Sequence, residues 1–116
     1  MKPTNKHINY IEFKAKDLEE IKAFYTTVFG WSFTDYGATY VAFSDSGIAG
    51  GFEKTDTEIV NGVLVVLYHD NLEVIKQQII AAKGKISVDT FSFPGGKRFQ
   101  FLDPSGNELA VWSYDA

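Results

Sequence analysis

At 116 residues, with 45% hydrophobic, 16% aromatic and 22% charged positions, the chain has the size and composition of one compact domain with a buried core rather than of a disordered segment. A formal charge of −4 with no run of Lys or Arg argues against a nucleic-acid partner, and the absence of cysteine rules out disulfides, thiolate metal sites and cysteine nucleophiles. MKPTNKHINY has no apolar leader and no run approaches membrane-spanning length, so a soluble, cytoplasmic protein with no membrane partner is expected.

In chain order, INYIEFKA (8–15) reads as a strand that runs into Asp17. Asp17 suits a helix N-cap, because its short carboxylate can accept the free N–H groups of the first turn, and Glu20 stands where a capping box needs it. Leu18, Ile21, Tyr25 and Val28 then recur at the helical period, and Gly30 suits the left-handed residue that closes a helix. Three strand-like runs follow, WSFTDY, TYVAFS and AGGFEK, separated by Tyr36-Gly37 and Ser44-Asp45-Ser46-Gly47. TDTEIVN (55–61) reads as a linker. The pattern then returns. GVLVVLYH is a strand, Asp70 with Glu73 is expected to cap a second helix, and Leu72, Ile75, Ile79 and Ala82 form its apolar stripe. Gly84 is expected to close that helix, giving a cap-to-glycine spacing of fourteen residues (70 to 84) against thirteen (17 to 30), as though one residue were inserted near Asn71. KISVDTFS, KRFQF and ELAVWSY complete the set, divided by Pro94-Gly95-Gly96 and Asp103-Pro104-Ser105-Gly106.

Each half therefore reads β-α-β-β-β. A four-stranded sheet with one helix leaves its other face uncovered, and pairing two such units solves that problem. The expected fold is α+β, a single domain (1–116) of two tandem βαβββ modules, about 8–54 and 62–114. They are expected to pair into a concave, cup-like mixed sheet with the helices outside.

Strand alternation assigns the faces. Ile11, Phe13 and Ala15 suit the helix side and Tyr10, Glu12 and Lys14 the cup; on the last strand Leu109 and Val111 pack behind while Glu108, Ala110 and Trp112 face the cup. Phe24 and Phe52 read as core. Phe43 and Phe101 are added to the cup as further aromatic wall.

The run from Asp17 to Trp31, DLEEIKAFYTTVFGW, together with FLDPSGN at 101–107, resembles the vicinal oxygen chelate superfamily, which includes glyoxalase I, extradiol dioxygenases and the fosfomycin- and bleomycin-resistance proteins. GIAGGFEK and NELAVWSY are similar to its subgroup of proteins related to lactoylglutathione lyase. The resemblance extends from about Ile8 to Tyr114. It implies four metal-ligand positions facing the cup, which fall here on Tyr10, Gly51, Val63 and Ala110. Tyr, Gly, Val and Ala do not supply the imidazoles and carboxylates a divalent ion needs, so no metal and no cofactor are expected. Glu12, Glu53 and Glu108 share the cup face but each stands two residues, about 6–7 Å, from a ligand position, too far to rebuild the same site, while a hard cation at a displaced site among these carboxylates stays open as an alternative. His7 reads as exposed, His69 as a loop residue beside a helix cap and Arg98 as solvated.

The expected function is metal-free binding of a small organic molecule, cationic or aromatic, in a cup lined by Tyr10, Glu12, Phe43, Gly51, Glu53, Phe101, Glu108, Ala110 and Trp112. The alternative is an enzyme related to the glyoxalases. Its metal-independent form would use Tyr10, Glu12 and Glu108 for acid–base work, and its metal-dependent form is opposed by the four ligand positions. The resemblance also implies a homodimer.

Overall fold

The structure, a computed structural model, describes residues 3–114. The chain divides into two compact units between Glu58 and Ile59. The first contains β1 (Tyr10–Ala15), α1 (Leu18–Phe29), β2 (Ser32–Asp35), β3 (Tyr40–Ser44) and β4 (Ala49–Lys54); the second contains β5 (Val65–Tyr68), α2 (Leu72–Ala81), β6 (Lys85–Phe93), β7 (Gly96–Leu102) and β8 (Glu108–Tyr114). The fold is α+β, with two four-stranded sheets ordered β1-β4-β3-β2 and β5-β8-β7-β6. In each, the opening strand runs parallel to the last strand of its module, and the remaining neighbours are antiparallel. Among the described residues no helix is long and apolar enough to cross a membrane.

In the first module α1 begins as its sequence demands. Asp17 is extended at φ −136° and its Oδ1 accepts the Glu20 N–H at 3.1 Å, which satisfies one of the orphan donors of the first turn. Gly30 takes φ 73° at the other end, and the N–H groups of Gly30 and Trp31 close on the carbonyls of Thr26 and Tyr25. The buried side of α1, Leu18, Ile21, Phe24, Tyr25 and Val28, meets an aromatic layer on the sheet. Tyr25 stacks on Trp31 at 4.6 Å between centroids, Trp31 lies 4.5 Å from Phe43, and Phe52 lies 5.2 Å from Phe13 and 5.3 Å from Tyr25. Gly50 makes room for this layer, since a Cβ there would run into the Ile11 carbonyl and the Phe43 ring.

The second module departs from expectation at both ends of α2. The N-cap is Asn71, not Asp70: Asn71 is extended at φ −139° and its Oδ1 accepts the Val74 N–H at 3.2 Å. His69 Nδ1 accepts the Asn71 N–H at 2.9 Å, and this contact holds the chain so that the helix starts one residue later, leaving Asp70 85% exposed. Glu73 is accordingly not a capping-box partner. At the C-terminus the left-handed residue is Lys83, φ 76°, rather than Gly84, and Gly84 N–H closes on the Ile79 carbonyl at 2.8 Å. The inferred insertion near Asn71 is therefore absent. Counted from cap to left-handed residue, the spacing is thirteen (17 to 30) and twelve (71 to 83), so the second helix is the shorter.

Leu72, Ile75 and Ile79 of α2 are buried, as are Phe99, Phe101, Leu109 and Val111 on the sheet. The Asp103–Asn107 turn fixes where β8 begins. Asp103 Oδ1 accepts the N–H groups of Ser105, Gly106 and Asn107 at 2.9–3.0 Å, and its Oδ2 accepts the Asn107 side-chain amide at 3.0 Å. Gly106 takes φ 107°, a conformation only glycine adopts without strain. Asn61 braces the turn from outside, donating to the Gly106 carbonyl and accepting the Glu108 N–H, both at 3.0 Å.

Candidate functional site

Each sheet has one face under its helix and one face turned away from it, and the side chains capable of chemistry stand on the second. In the first module the register sets Tyr40 of β3 against Glu53 of β4, Gly51 of β4 against Glu12 of β1, and Glu53 against Lys14. Tyr10 and Tyr40 lean toward each other until their hydroxyl oxygens are 2.5 Å apart, and Tyr40 donates to Glu12 Oε1 at 2.9 Å. An ionised carboxylate accepts only and a phenol carries one proton. With the Tyr40 proton committed to Glu12, the proton between the two phenols belongs to Tyr10. Burial, reinforced by the hydrogen bonds to Tyr10 and Glu12 and by the negative charge of Glu12, raises the Tyr40 phenol well above its ordinary value, so Tyr40 holds its proton. Beside this chain Lys14 and Glu53 form an ion pair, and that hydrogen bond raises the Lys14 ammonium.

Gly51 is what allows the two phenols to meet. A Cβ at this position would lie 2.6 Å from Tyr10 Oη and closer still to Tyr40 Oη. The hydroxyl pair thus occupies the space that a side chain on residue 51 would fill.

On the open face of the second module a polar ladder crosses three strands. Arg98 donates to Gln100 Oε1 at 3.3 Å, Gln100 donates to Glu108 Oε2 at 3.1 Å, and Ser87 donates to the same carboxylate oxygen at 2.7 Å. The Arg98 guanidinium lies 5.2 Å from the Phe91 ring centre. Next to the ladder, Trp112 meets Tyr68 at 5.3 Å and Tyr114 at 4.6 Å, both edge-on, with Phe93 at 6.4 Å. Tyr68 and Tyr114 remain 51% and 65% exposed.

Three sequence-based assignments need correction. Phe43 and Phe101 are not on the open faces. Phe43 is 5% exposed among Trp31, Phe13 and Phe52, and Phe101, fully buried, pairs across strands with Leu109, which fixes it on the helix side. Cross-strand partners share a face, so the register decides what composition alone left open. Val63 is likewise displaced: it precedes β5 and is 81% exposed. Gly51 pairs with Glu12 and Ala110 pairs with Val66, so Val66 stands where Glu12 does, and the counterpart of Tyr10 is Leu64. The one-residue shift has the same origin as the shift from Asp70 to Asn71 at the cap.

Tyr10, Glu12, Gly51 and Glu53 are brought together in the first module; Glu108, Ala110 and Trp112 lie along one strand of the second, with Ala110 itself fully buried. Tyr40, Ser87, Gln100, Tyr68 and Tyr114 were missed. The alternation of TYVAFS, with Val41 and Phe43 buried, puts Tyr40 on the open face, but only the β3–β4 register places it beside Glu12 and Tyr10. The donor set does not fit a divalent metal. Tyr10, Gly51, Leu64 and Ala110 offer one phenol among four positions. Glu12 and Glu53 are engaged by Tyr40 and Lys14, and Glu108 by Ser87 and Gln100. Among the described residues no three His, Asp or Glu side chains stand close enough to share an ion.

The chain resembles solved structures at low sequence identity. A glyoxalase/bleomycin resistance protein/dioxygenase family enzyme from Burkholderia phytofirmans PsJN superposes with a TM-score of 0.80 at 15% identity, covering 92% of this chain and 98% of that one. The fosfomycin resistance protein FosX of Listeria monocytogenes gives 0.81 at 14%, covering 97% and 96%. Lactoylglutathione lyase of Agrobacterium tumefaciens gives 0.72 at 20%, covering 95% of each. At these identities the likeness is one of fold. No curated protein matches the sequence. The family model for the glyoxalase/bleomycin resistance protein/dioxygenase superfamily matches residues 7–111, and the chain belongs to that superfamily.

Proposed function

We propose that this chain binds a small organic molecule without a metal ion, using side chains on the open faces of its sheets. The observation that carries this reading is the state of the two β4 and β8 ligand positions. Gly51 is overlaid by the Tyr10 and Tyr40 hydroxyls, and Ala110 is flanked by Gln100, Glu108 and Trp112. Hydrogen-bonding groups and aromatic surface thus stand where metal ligands would be needed. Exposed aromatic rings beside carboxylates suit a ligand with a flat apolar part and a cationic or hydrogen-bond-donating part. The proposal includes a homodimer in the cytoplasm, checked by sedimentation velocity and by cell fractionation.

The test is a thermal-shift screen of aromatic amines and alcohols, followed by calorimetry and by product analysis of every hit. Binding that is weakened by Trp112→Ala and Glu108→Gln, with ligand recovered intact, is the expected result. Elemental analysis of protein purified without chelator is expected to find substoichiometric metal; tight stoichiometric metal lost on mutating Glu12, Glu53 or Glu108 would sink the metal-free reading.

The Tyr10–Tyr40–Glu12 chain also favours a second reading, metal-independent acid–base catalysis, because it links an accessible phenol to a carboxylate through hydrogen bonds of 2.5 and 2.9 Å. Turnover of any hit, abolished by Tyr10→Phe, would select it over simple binding.

A further inference from the structure

We propose that Tyr10, Tyr40 and Glu12 form a site of fixed hydrogen-bond polarity that reads a donor group, an alcohol O–H or an amine N–H, on the ligand. The proposal rests on the small-molecule reading above and adds to it the chemical class of the group bound on the first module. Two features of the open face support it.

The chain has one direction. Glu12 carries no proton to give when ionised, so Tyr40 must donate to it, and Tyr10 must donate to Tyr40. Each phenol has a single proton, and both are spent inside the chain. What the outermost hydroxyl presents to an incoming group is therefore its lone pairs. Tyr10 is 44% exposed, and it is the outer member of the chain. Burial of Tyr40 works to the same end, since a phenol that keeps its proton keeps donating to Glu12.

The direction is also held in place. The hydroxyl pair sits directly over Gly51, where any side chain would displace it. Tyr40 is tied to the sheet through the β3–β4 pairing of Tyr40 with Glu53, and Glu12 through the β1–β4 pairing with Gly51. Lys14 is held beside the chain by its ion pair with Glu53. An acceptor-only group placed against Tyr10 would face lone pairs with no proton between, the unfavourable arrangement that lets a buried polar site reject an isosteric analogue. Tyr40 is thus a positioning residue that acts through Tyr10.

A pair of neutral probes separates polarity from charge: 2-naphthylmethanol, which donates, and its methyl ether, 2-(methoxymethyl)naphthalene, which only accepts. Both are titrated into the isotope-labelled full chain and followed by amide shifts on β1, β3 and β4. The alcohol is expected to bind about tenfold more tightly than the ether, the discrimination one unmatched hydrogen bond supplies. In Tyr40→Phe the Tyr10 hydroxyl is free to turn and donate, and the preference should shrink to within about threefold, with Kd for the ether improving rather than worsening. Tyr10→Phe, at the more exposed position, provides an independent variant in which the preference should also vanish. Equal binding of the two probes to the native chain, a preference unchanged in both variants, or shifts confined to β5–β8 would overturn the proposal while leaving small-molecule binding intact. If neither probe binds, nor any other aromatic amine or alcohol, the small-molecule reading fails and this proposal fails with it.

Discussion

The two modules share strand order, parallel pairing of first and last strands and one covering helix, yet they differ in what fills the core and in what the open face presents. The first packs Phe13, Tyr25, Trp31, Phe43 and Phe52 against one another under α1, and on its open face Tyr10 and Tyr40 turn their hydroxyls to each other and to Glu12 over Gly51. The second packs Leu72, Ile75, Ile79, Leu109 and Val111 with Phe99 and Phe101 under α2, and turns Tyr68, Trp112 and Tyr114 outward. A sheet of this topology needs only that one face be apolar enough to hold its helix. The aromatic surface on the other face of the second sheet is not needed to hold α2, and it is the surface on which the small-molecule proposal draws.

The contrast is broken most directly in the cores. Phe52 and Val111 are structural counterparts, each on the strand paired to the opening strand, each fully buried, and opposite Phe13 and Leu67 respectively. Phe52→Ala removes a ring that touches four others and should cost about 3–5 kcal/mol, whereas Val111→Ala in the aliphatic core should cost about 2 kcal/mol. Urea unfolding of both variants gives the two values. Equal costs would mean that the aromatic layer of the first module contributes no more than ordinary apolar packing.

A smaller effect distinguishes the helix ends. Gly30 and Lys83 both adopt φ near +75° (73° and 76°), and a Cβ on Gly30 would meet nothing within 4 Å. The cost of a side chain in that conformation is therefore a backbone cost of about 1 kcal/mol. Gly30→Ala should lower stability by about that amount and Lys83→Gly should raise it similarly, to be read as opposite displacements of the urea midpoint. A Lys83→Gly variant no more stable than the native chain would show that Gly84 already relieves the second helix.

These corrections also show how far the residues alone carried the fold. Asp17, the apolar stripe of α1 and Gly30 are local signals, and each did what its chemistry dictates. The same signals misled by one residue at α2, because Asp70 and Asn71 are both good caps and the choice between them is made by His69 Nδ1 reaching the Asn71 N–H. Alternation along a strand gave correct faces for Tyr10, Glu12, Glu108 and Trp112, where neighbouring apolar residues point the other way. Alternation within TYVAFS and KRFQF also sets Phe43 and Phe101 opposite Tyr40 and Gln100, and the cross-strand register confirms that they lie on the helix side. The Tyr10–Tyr40–Glu12 chain was illegible, since its members are up to 30 positions apart and meet only because β4 lies between β1 and β3.

The polar side of the comparison has its own signature at high pH. Burial and the bonds to Tyr10 and Glu12 favour the neutral form of Tyr40 in the folded chain. Once pH rises past the ordinary phenol value of about 10, the unfolded chain releases this proton while the folded chain retains it. The folded state then binds more protons than the unfolded one, so stability falls with rising pH in that window, and below it Tyr40 has no pH effect. Lys14 and Lys22, raised by their bonds to Glu53 and to Glu19 and Asp35, favour their charged forms and lose that contribution over an overlapping range. The Tyr40 part is isolated by the difference between the native chain and Tyr40→Phe. Ultraviolet titration of the six tyrosines, compared between the native chain and the variant, should show that the phenol lost with Tyr40 is one that ionises above the ordinary phenol value, and the stability of the variant should decline less steeply above pH 10. If the phenol lost in Tyr40→Phe is instead one that ionises at the ordinary value, the hydroxyl chain of the first module is not closed in solution, and the polarity assigned to it loses its basis.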